Sequence, residues 1–483
     1  MNYKMMGKLM AQILLVEGFF MIPALLICIF EKDGAGTIGF LVAMAAIVVV
    51  AAVMLFFCKN AKKRFYAREG LVTVGVCWIL LSVFGCIPFL ASGEIPSFVD
   101  ALFEMASGFT TTGASVVTDV EFLTKGILYW RSFSQWLGGM GVLVFLLAIV
   151  PASGDTGFTM HILRAESPGP NVGKLVPKMR QTAMILYLIY IVMTIACFLF
   201  LIVGRVPLFD AVCATFETAG TGGFGIKNNS MAGYSYYAQN VCTVFMILFG
   251  VNFSCYYMLL LGHVREVLKD EELRLYLGII LTSIVLITIN CREYYTSLRE
   301  TLHHVSFQVA SIITTTGFVT TDYDVWPSFS KAILLFLMTI GASAGSTGGG
   351  FKCGRAMLLF KNLRRNIRQT LHPQKVQVVR NNGQMVSERV LDNTNAYLAA
   401  YVTLVILSFI IVSLDEMSPM TNLSAVLSCV NNIGPGVEGV GPVGNYAGFG
   451  ILSKLTLTVD MWAGRLEIFP ILILFSKSTW KNR

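Results

Sequence analysis

Apolar runs of about 20 residues, the length a helix needs to cross a hydrocarbon core, recur along nearly all of this 483-residue chain. Between several of them lie semi-apolar links that are too short to cross and that end in small residues. This alternation constrains the fold more than any single motif. Backbone at membrane depth must satisfy its own hydrogen bonds, or be buried in protein, or line a watery cavity. Only 13% of the residues are charged and 55% are hydrophobic, against roughly 25% charged in a soluble domain. The expected class is an all-α integral membrane protein.

Ten spans are expected, at about 9–30, 37–58, 71–91, 127–150, 181–204, 237–261, 273–291, 327–360, 392–414 and 449–476. The first run carries Glu17 and lacks a small-x-small cleavage site, so it reads as a span and not a signal peptide. The net charge of +8 comes from basic residues in short links. Lys59, Lys62, Lys63, Arg64 and Arg68 fill one. Lys174, Lys178 and Arg180 sit in a second, and Arg265, Lys269 and Arg274 in a third. Arg364, Arg365, Arg368, Lys375 and Arg380 fill a fourth, and Lys481 and Arg483 end the chain. Alternating spans put all of them on one side, which points to a multi-pass protein with both termini in the cytoplasm and to no nucleic-acid partner. The other side carries Glu94, Asp100, Asp119, Glu121, Asp322, Asp324 and Glu438. The wider links, 151–180 with Pro168, Gly169, Pro170 and Pro177, and 361–390, read as loops or short surface helices open to a cytoplasmic partner. The eleven cysteines show no CxxC or zinc spacing and read as core residues.

Four outer links repeat one pattern: Asp100-ALFEMASGFTTTGAS, Asp210-AVCATFETAGTGGFG, His304-VSFQVASIITTTGFV and Thr421-NLSAVLSCVNNIGPG. Their central glycines, Gly113, Gly223, Gly317 and Gly434, recur about a hundred residues apart, each framed by two apolar runs. Asp100, Asp210, His304 and Thr421 stand at the expected helix starts, where a cap is wanted. Ser107, Glu217, Ser311 and Ser428 precede the glycines by one common interval. The pattern predicts about eight to ten residues of helix dipping into the membrane, then an extended return. Four copies around one axis would offer a ring of carbonyl oxygens able to replace the hydration shell of an alkali cation. The ring residues would be Thr111, Thr112 and Gly113; Thr221, Gly222 and Gly223; Thr315, Thr316 and Gly317; and Asn432, Ile433 and Gly434. Each short helix would turn its negative end toward the ion. The organisation follows: an N-terminal helix pair at 1–69, then four M1–pore helix–M2 repeats at 70–165, 166–265, 266–370 and 371–483 in pseudo-fourfold arrangement.

The stretches SGFTTTGAS, ETAGTGGFG, TTTGF, NNIGPG and GASAGSTGGGFK, with an arginine in the last apolar run, resemble the TrkH/TrkG/KtrB superfamily of potassium transporters over nearly the whole chain. The extra N-terminal pair is closer to TrkH and TrkG. The resemblance implies potassium uptake across a bacterial cytoplasmic (inner) membrane, a homodimer with one pore per subunit, and a nucleotide-binding cytoplasmic subunit of TrkA type. Potassium would be the bound ion, with no organic cofactor. In related plant transporters serine at the first filter glycine goes with sodium transport, so Gly113 favours potassium.

Two features lie below the expected filter. The run Lys331–Phe360 contains Gly341, Ala342, Ser343, Ala344, Gly345, Ser346, Thr347, Gly348, Gly349 and Gly350. Each glycine costs a helix roughly 1 kcal/mol, and 30 residues would make a helix of about 45 Å, longer than a bilayer core needs. A break is expected there, and the resemblance implies that it gates the pore. Arg465 lies inside the last apolar run. A buried arginine wants either a watery path or an acid, and the resemblance implies a place in the ion path. The stretch also imitates two enzyme motifs. Gly341-Ala-Ser343-Ala-Gly345 lacks the setting of a nucleophile elbow, and Phe351 separates Gly350 from Lys352, against the P-loop pattern. No enzymatic activity is expected. Passive or gated uptake fits best, since the membrane potential supplies about 2.3 kcal/mol per charge per 100 mV. The alternative is a symporter coupled to protons or sodium. Glu217 is the carboxylate near a filter loop and could serve as a cation site or as a hydrogen-bond acceptor.

Overall fold

The computed structural model describes residues 1–59, 66–141 and 179–480. Lys62, Lys63, Arg64, Pro168, Gly169, Pro170, Lys174, Pro177, Lys178, Lys481 and Arg483 lie outside the described residues, as does the end of the expected span at 127–150. Apart from short 3-10 turns, the regular structure among the described residues is helical, with one hairpin of two-residue strands, Arg380–Asn381 and Gln384–Met385.

Six helical segments are long and apolar enough to cross a membrane: Tyr3–Phe30, Gly34–Phe57, Arg68–Ser92, Gln181–Val203, Glu271–Asn290 and Glu388–Asp415. They match six of the expected spans. Gly34–Phe57 leaves Ile38, Leu41, Val42, Val49 and Val53 exposed, a face suited to lipid and not to water. Gly39 brings this helix against the Pro88 carbonyl, 2.8 Å from where a Cβ would stand.

In the other four expected spans the described helix stops early, and a stop was expected only in one. The first helix of this kind, Lys125–Gly139, stops at the pair Gly138-Gly139. Tyr236–Phe249 and Phe253–Leu260 meet at 87°, because Asn252 caps the second piece by accepting a hydrogen bond from Ser254 N at 2.9 Å. Ser328–Ile340 and Cys353–Leu371 flank the expected glycine-rich break. Ile451–Arg465 and Phe469–Phe475 are separated where Glu467 and Ile468 take left-handed backbone, φ 58° and 64°. Hydropathy could not show the three unexpected breaks, because the breaking residues sit in runs as apolar as a continuous helix.

Four shorter helices are Phe98–Phe109, Leu208–Gly220, Leu298–Ile313 and Pro419–Asn431, of 12, 13, 16 and 13 residues. Their caps lie three residues before the expected ones, and seven before in the third helix. The caps are Ser97, Pro207, Ser297 and Ser418, not Asp100, Asp210, His304 and Thr421. The serine hydroxyls at Ser97, Ser297 and Ser418 accept from the N–H three residues on, at 3.4, 3.2 and 3.1 Å, which satisfies an orphan donor of the first turn. Asp100 and Asp210 fall inside that turn, where a negative charge faces the positive helix end.

Candidate functional site

The four short helices end in one way. Thr111, Thr221, Thr315 and Asn432 take left-handed backbone, with φ of 55°, 53°, 58° and 55°. That is an outlier for β-branched threonine. The next N–H then donates back into the helix: Thr112 to Ser107 O at 2.9 Å, Gly222 to Glu217 O at 2.9 Å, Thr316 to Ser311 O at 2.8 Å, and Ile433 to Ser428 O at 3.0 Å. This is the Schellman ending. It uses the N–H groups on the helix side, so that the carbonyls just before the central glycines can turn the other way, whereas the Gly434 carbonyl is held from behind.

The central glycines follow, with φ of 79°, 65°, 82° and 99°. A Cβ on Gly113 would collide with the Gly222 carbonyl oxygen, one on Gly223 with that of Thr316, and one on Gly317 with that of Ile433. A Cβ on Gly434 would stand 2.8 Å from the Thr112 carbonyl oxygen. Each glycine therefore rests on the carbonyl just before the next glycine, and the fourth loop closes on the first. All twelve residues expected at the ring lie in these loops, so distant stretches of sequence meet around one centre.

The returning strands are held from behind. Ser311 Oγ donates to Phe318 O at 2.7 Å and Ser428 Oγ to Gly434 O at 2.7 Å. Glu217 accepts from Ser132 Oγ at 2.7 Å and from Gly225 N at 3.2 Å, which makes it an acceptor bracing the second loop. Three supports went unnoticed in the sequence. Glu104 and Arg131 form an ion pair at 2.6 Å, 0% and 1% exposed. Glu104 also accepts from Ser115 Oγ at 2.9 Å and Val116 N at 3.0 Å. Tyr446 and Tyr323 hydroxyls donate to the carbonyls of Gly434 and Gly436, each at 2.8 Å. The available signal was an acid and an arginine inside neighbouring apolar segments, where neither belongs unpaired.

Beneath the ring, residues 341–352 form an irregular loop between two helices. It touches several elements at once. Gly349 N donates to Thr315 Oγ1 at 2.6 Å. Thr347 Oγ1 donates to Phe249 O at 3.2 Å, and Ser343 N to Gly250 O at 3.1 Å, so the loop seats in the 87° bend. Gly345 O accepts from Phe253 N at 3.0 Å, and Ala344 N donates to Glu272 Oε1 at 2.6 Å. Ser343 thus sits between helices, not on the strand–turn–helix that a nucleophile elbow requires.

Arg465 is 9% exposed. Its guanidinium donates to Thr347 O at 2.8 Å, to Gly139 O at 2.6 Å and to Gly138 O. It ties the irregular loop to the end of Lys125–Gly139. Of the two acids near it in sequence, Glu467 pairs with Arg355 and Asp460 accepts from Ser408 Oγ at 2.7 Å.

The chain is similar in sequence and in fold to known proteins. The family model TrkH, described as a cation transport protein, matches residues 38–482. The Trk system potassium uptake protein TrkH of Salmonella typhimurium is 34% identical over 97% of both chains. Its namesake in Vibrio parahaemolyticus is 33% identical over the full length of both, and TrkG of Escherichia coli is 30% identical over 96% of this chain and 95% of its own. The crystal structure of the potassium transporter TrkH from Vibrio parahaemolyticus superposes with a TM-score of 0.88, at 31% identity and full coverage of both chains.

Proposed function

From the premise that the chain belongs to the TrkH family of cation transport proteins, we propose that it takes up potassium across a cytoplasmic membrane. The ring of four glycine loops is its selectivity filter. The carrying observation is the closure of that ring, each glycine against the next loop's carbonyl. Carbonyl oxygens around a common centre can stand in for the hydration shell of potassium. The backbone angles repeat fourfold although the side chains do not, as a filter made of main chain requires.

In this reading the chain crosses the bilayer ten times with both ends in the cytoplasm. A helix pair at 1–69 precedes four repeats at 70–165, 166–265, 266–370 and 371–483. The second crossings of the second, third and fourth repeats are made in pieces. The 341–350 loop, held by Arg465, is the gate under the filter: it contacts filter residue Thr315 from below through Gly349. The guanidinium adds a positive charge that opposes a cation until the loop moves. Two further assignments follow the named relatives, which belong to a Trk system. They are a regulatory subunit of TrkA type on the cytoplasmic face and a homodimer with one pore in each subunit.

Proton-coupled symport is the second reading. It is favoured by Glu17, whose buried carboxylate oxygens have no hydrogen-bond partner among the described residues. Reversal potentials in proteoliposomes under varied potassium, sodium and pH separate the two. A reversal that follows potassium alone supports the channel-like path, and one that moves with the proton or sodium gradient overturns it. The filter is tested separately by Gly113→Ser. Its Cβ displaces the Gly222 carbonyl, so sodium should enter. Unchanged potassium-over-sodium selectivity in flux assays would remove the filter assignment.

A further inference from the structure

The glycine-rich loop ends on a lysine that the filter and gate leave unused. Lys352 is 2% exposed. It takes left-handed backbone, φ 78°, at the cap of helix Cys353–Leu371. Its N–H donates to Ile340 O at 2.8 Å, and its carbonyl accepts from Arg355 N and Ala356 N, both at 3.1 Å. A non-glycine residue held in this region is strained and persists only where its surroundings over-determine it. Burying an ammonium is costlier still unless it is well bonded. Glycine precedes it five times in the same loop and would relieve both costs, so the side chain is the reason for the residue.

That side chain reaches back into the loop. Nζ donates to the Gly348 carbonyl oxygen. The preceding carbonyl, Thr347 O, is held by Arg465 at 2.8 Å. Two consecutive carbonyls directly below the filter are therefore each occupied by a basic side chain. A Cβ on Gly348 would stand 2.8 Å from Thr314 O, at the end of the third short helix, which fixes how near the filter this occurs. The charged groups acting on Lys352 are Arg465 and Arg355, of like sign, and Glu467 and Glu272, of opposite sign. Glu467 pairs with Arg355 and Glu272 accepts from Ala344 N.

We propose that Lys352 is a second barrier residue: a tethered cation that occupies the Gly348 carbonyl in place of a transported ion and, with Arg465, keeps the inner path closed to potassium. The proposal rests on the reading of 341–350 as a gate, but not on the identity of the filter.

The test is rubidium flux in proteoliposomes across a range of cation concentrations for Lys352→Gln, Lys352→Met and Lys352→Arg, with melting temperatures measured on each. Removing a fixed charge from an ion path should raise flux several-fold, and more at low cation concentration than at saturation. Glutamine and methionine should behave alike, since both drop the charge, and arginine should stay near wild type. Methionine keeps the apolar stem and serves if the glutamine variant does not fold. Equal or lower flux in well-folded Lys352→Gln and Lys352→Met would overturn the proposal and leave Lys352 a loop brace. So would a gain independent of concentration. Potassium-over-sodium reversal potentials should be unchanged in all three variants. A loss of selectivity would show that the substitution had deformed the filter and would equally overturn a role confined to the inner barrier.

Discussion

Above the level of the breaks, the four loops at Gly113, Gly223, Gly317 and Gly434 share one backbone. The left-handed residue, the return hydrogen bond and the glycine contact recur in each. Below it, the four helices that follow stop in four ways. One stops at Gly138-Gly139, one turns through 87°, one gives way to the 341–352 loop, and one breaks at Glu467 and Ile468. The difference follows from what each level can do. A ring of carbonyls needs four equivalent main chains and tolerates Thr-Thr, Thr-Gly and Asn-Ile before the glycine, because none of those side chains sets the carbonyl direction. Closing a path needs only one obstruction. In the proposed function one irregular loop and its basic side chains suffice, and the other three helices are free to shape a seat for it.

The comparison can be broken most severely in the ring itself. Gly317→Ala places a methyl group on the Ile433 carbonyl and forces a left-handed alanine, which alone costs about 1–2 kcal/mol. Ion uptake by the purified protein in proteoliposomes should fall by about tenfold or more. Equal loss is expected for Gly223→Ala, whose methyl group would meet the Thr316 carbonyl as closely.

Next comes the support behind the first loop. Arg131→Met leaves Glu104 buried and unpaired, at a cost of about 3–5 kcal/mol. Thermal melting in detergent should show a clear drop. The double variant with Glu104→Gln should recover part of it, because the stranded charge is gone. Additive losses would mean that the pair is not a unit.

Arg465→Ala acts on the lower level. It frees the carbonyls of Gly138, Gly139 and Thr347, and flux should rise several-fold with potassium selectivity unchanged. An unchanged flux would make the arginine a structural tie.

The smallest effect sharpens the contrast between levels. Thr315→Val removes the acceptor for Gly349 N, a bond worth about 1 kcal/mol. It should raise flux modestly by loosening the loop. Thr111→Val, at the matching place in the first loop, should do nothing to the loop, since the Thr111 hydroxyl has no hydrogen-bond partner among the described residues.

Much of this is legible in the sequence. Spans showed wherever apolar length was unbroken, as in Gly34–Phe57 and Glu388–Asp415. The 341–350 break showed because five glycines defeat a helix. The starts of the short helices lie three residues earlier than the repeat suggests, and seven earlier in the third: Ser97, Ser297 and Ser418 cap three of them, and a cap is chosen by which hydroxyl meets a free N–H, not by which residue stands at a repeating interval. The bend at Asn252 and the turn at Glu467 were hidden for a similar reason, since one polar residue in an apolar run does not announce whether the helix bends around it.

By itself, the sequence determined that this chain is a membrane protein, that four glycine loops recur between apolar runs, and that one run must break. These depend on composition, length and local propensity, which are written residue by residue. Only the tertiary structure decided that the four loops close on one another in order, that Glu104 meets Arg131, and that Arg465 and Lys352 occupy adjacent carbonyls of one loop. Those contacts join residues separated by up to several hundred positions, and their geometry is set by how the helices pack, which no single segment encodes.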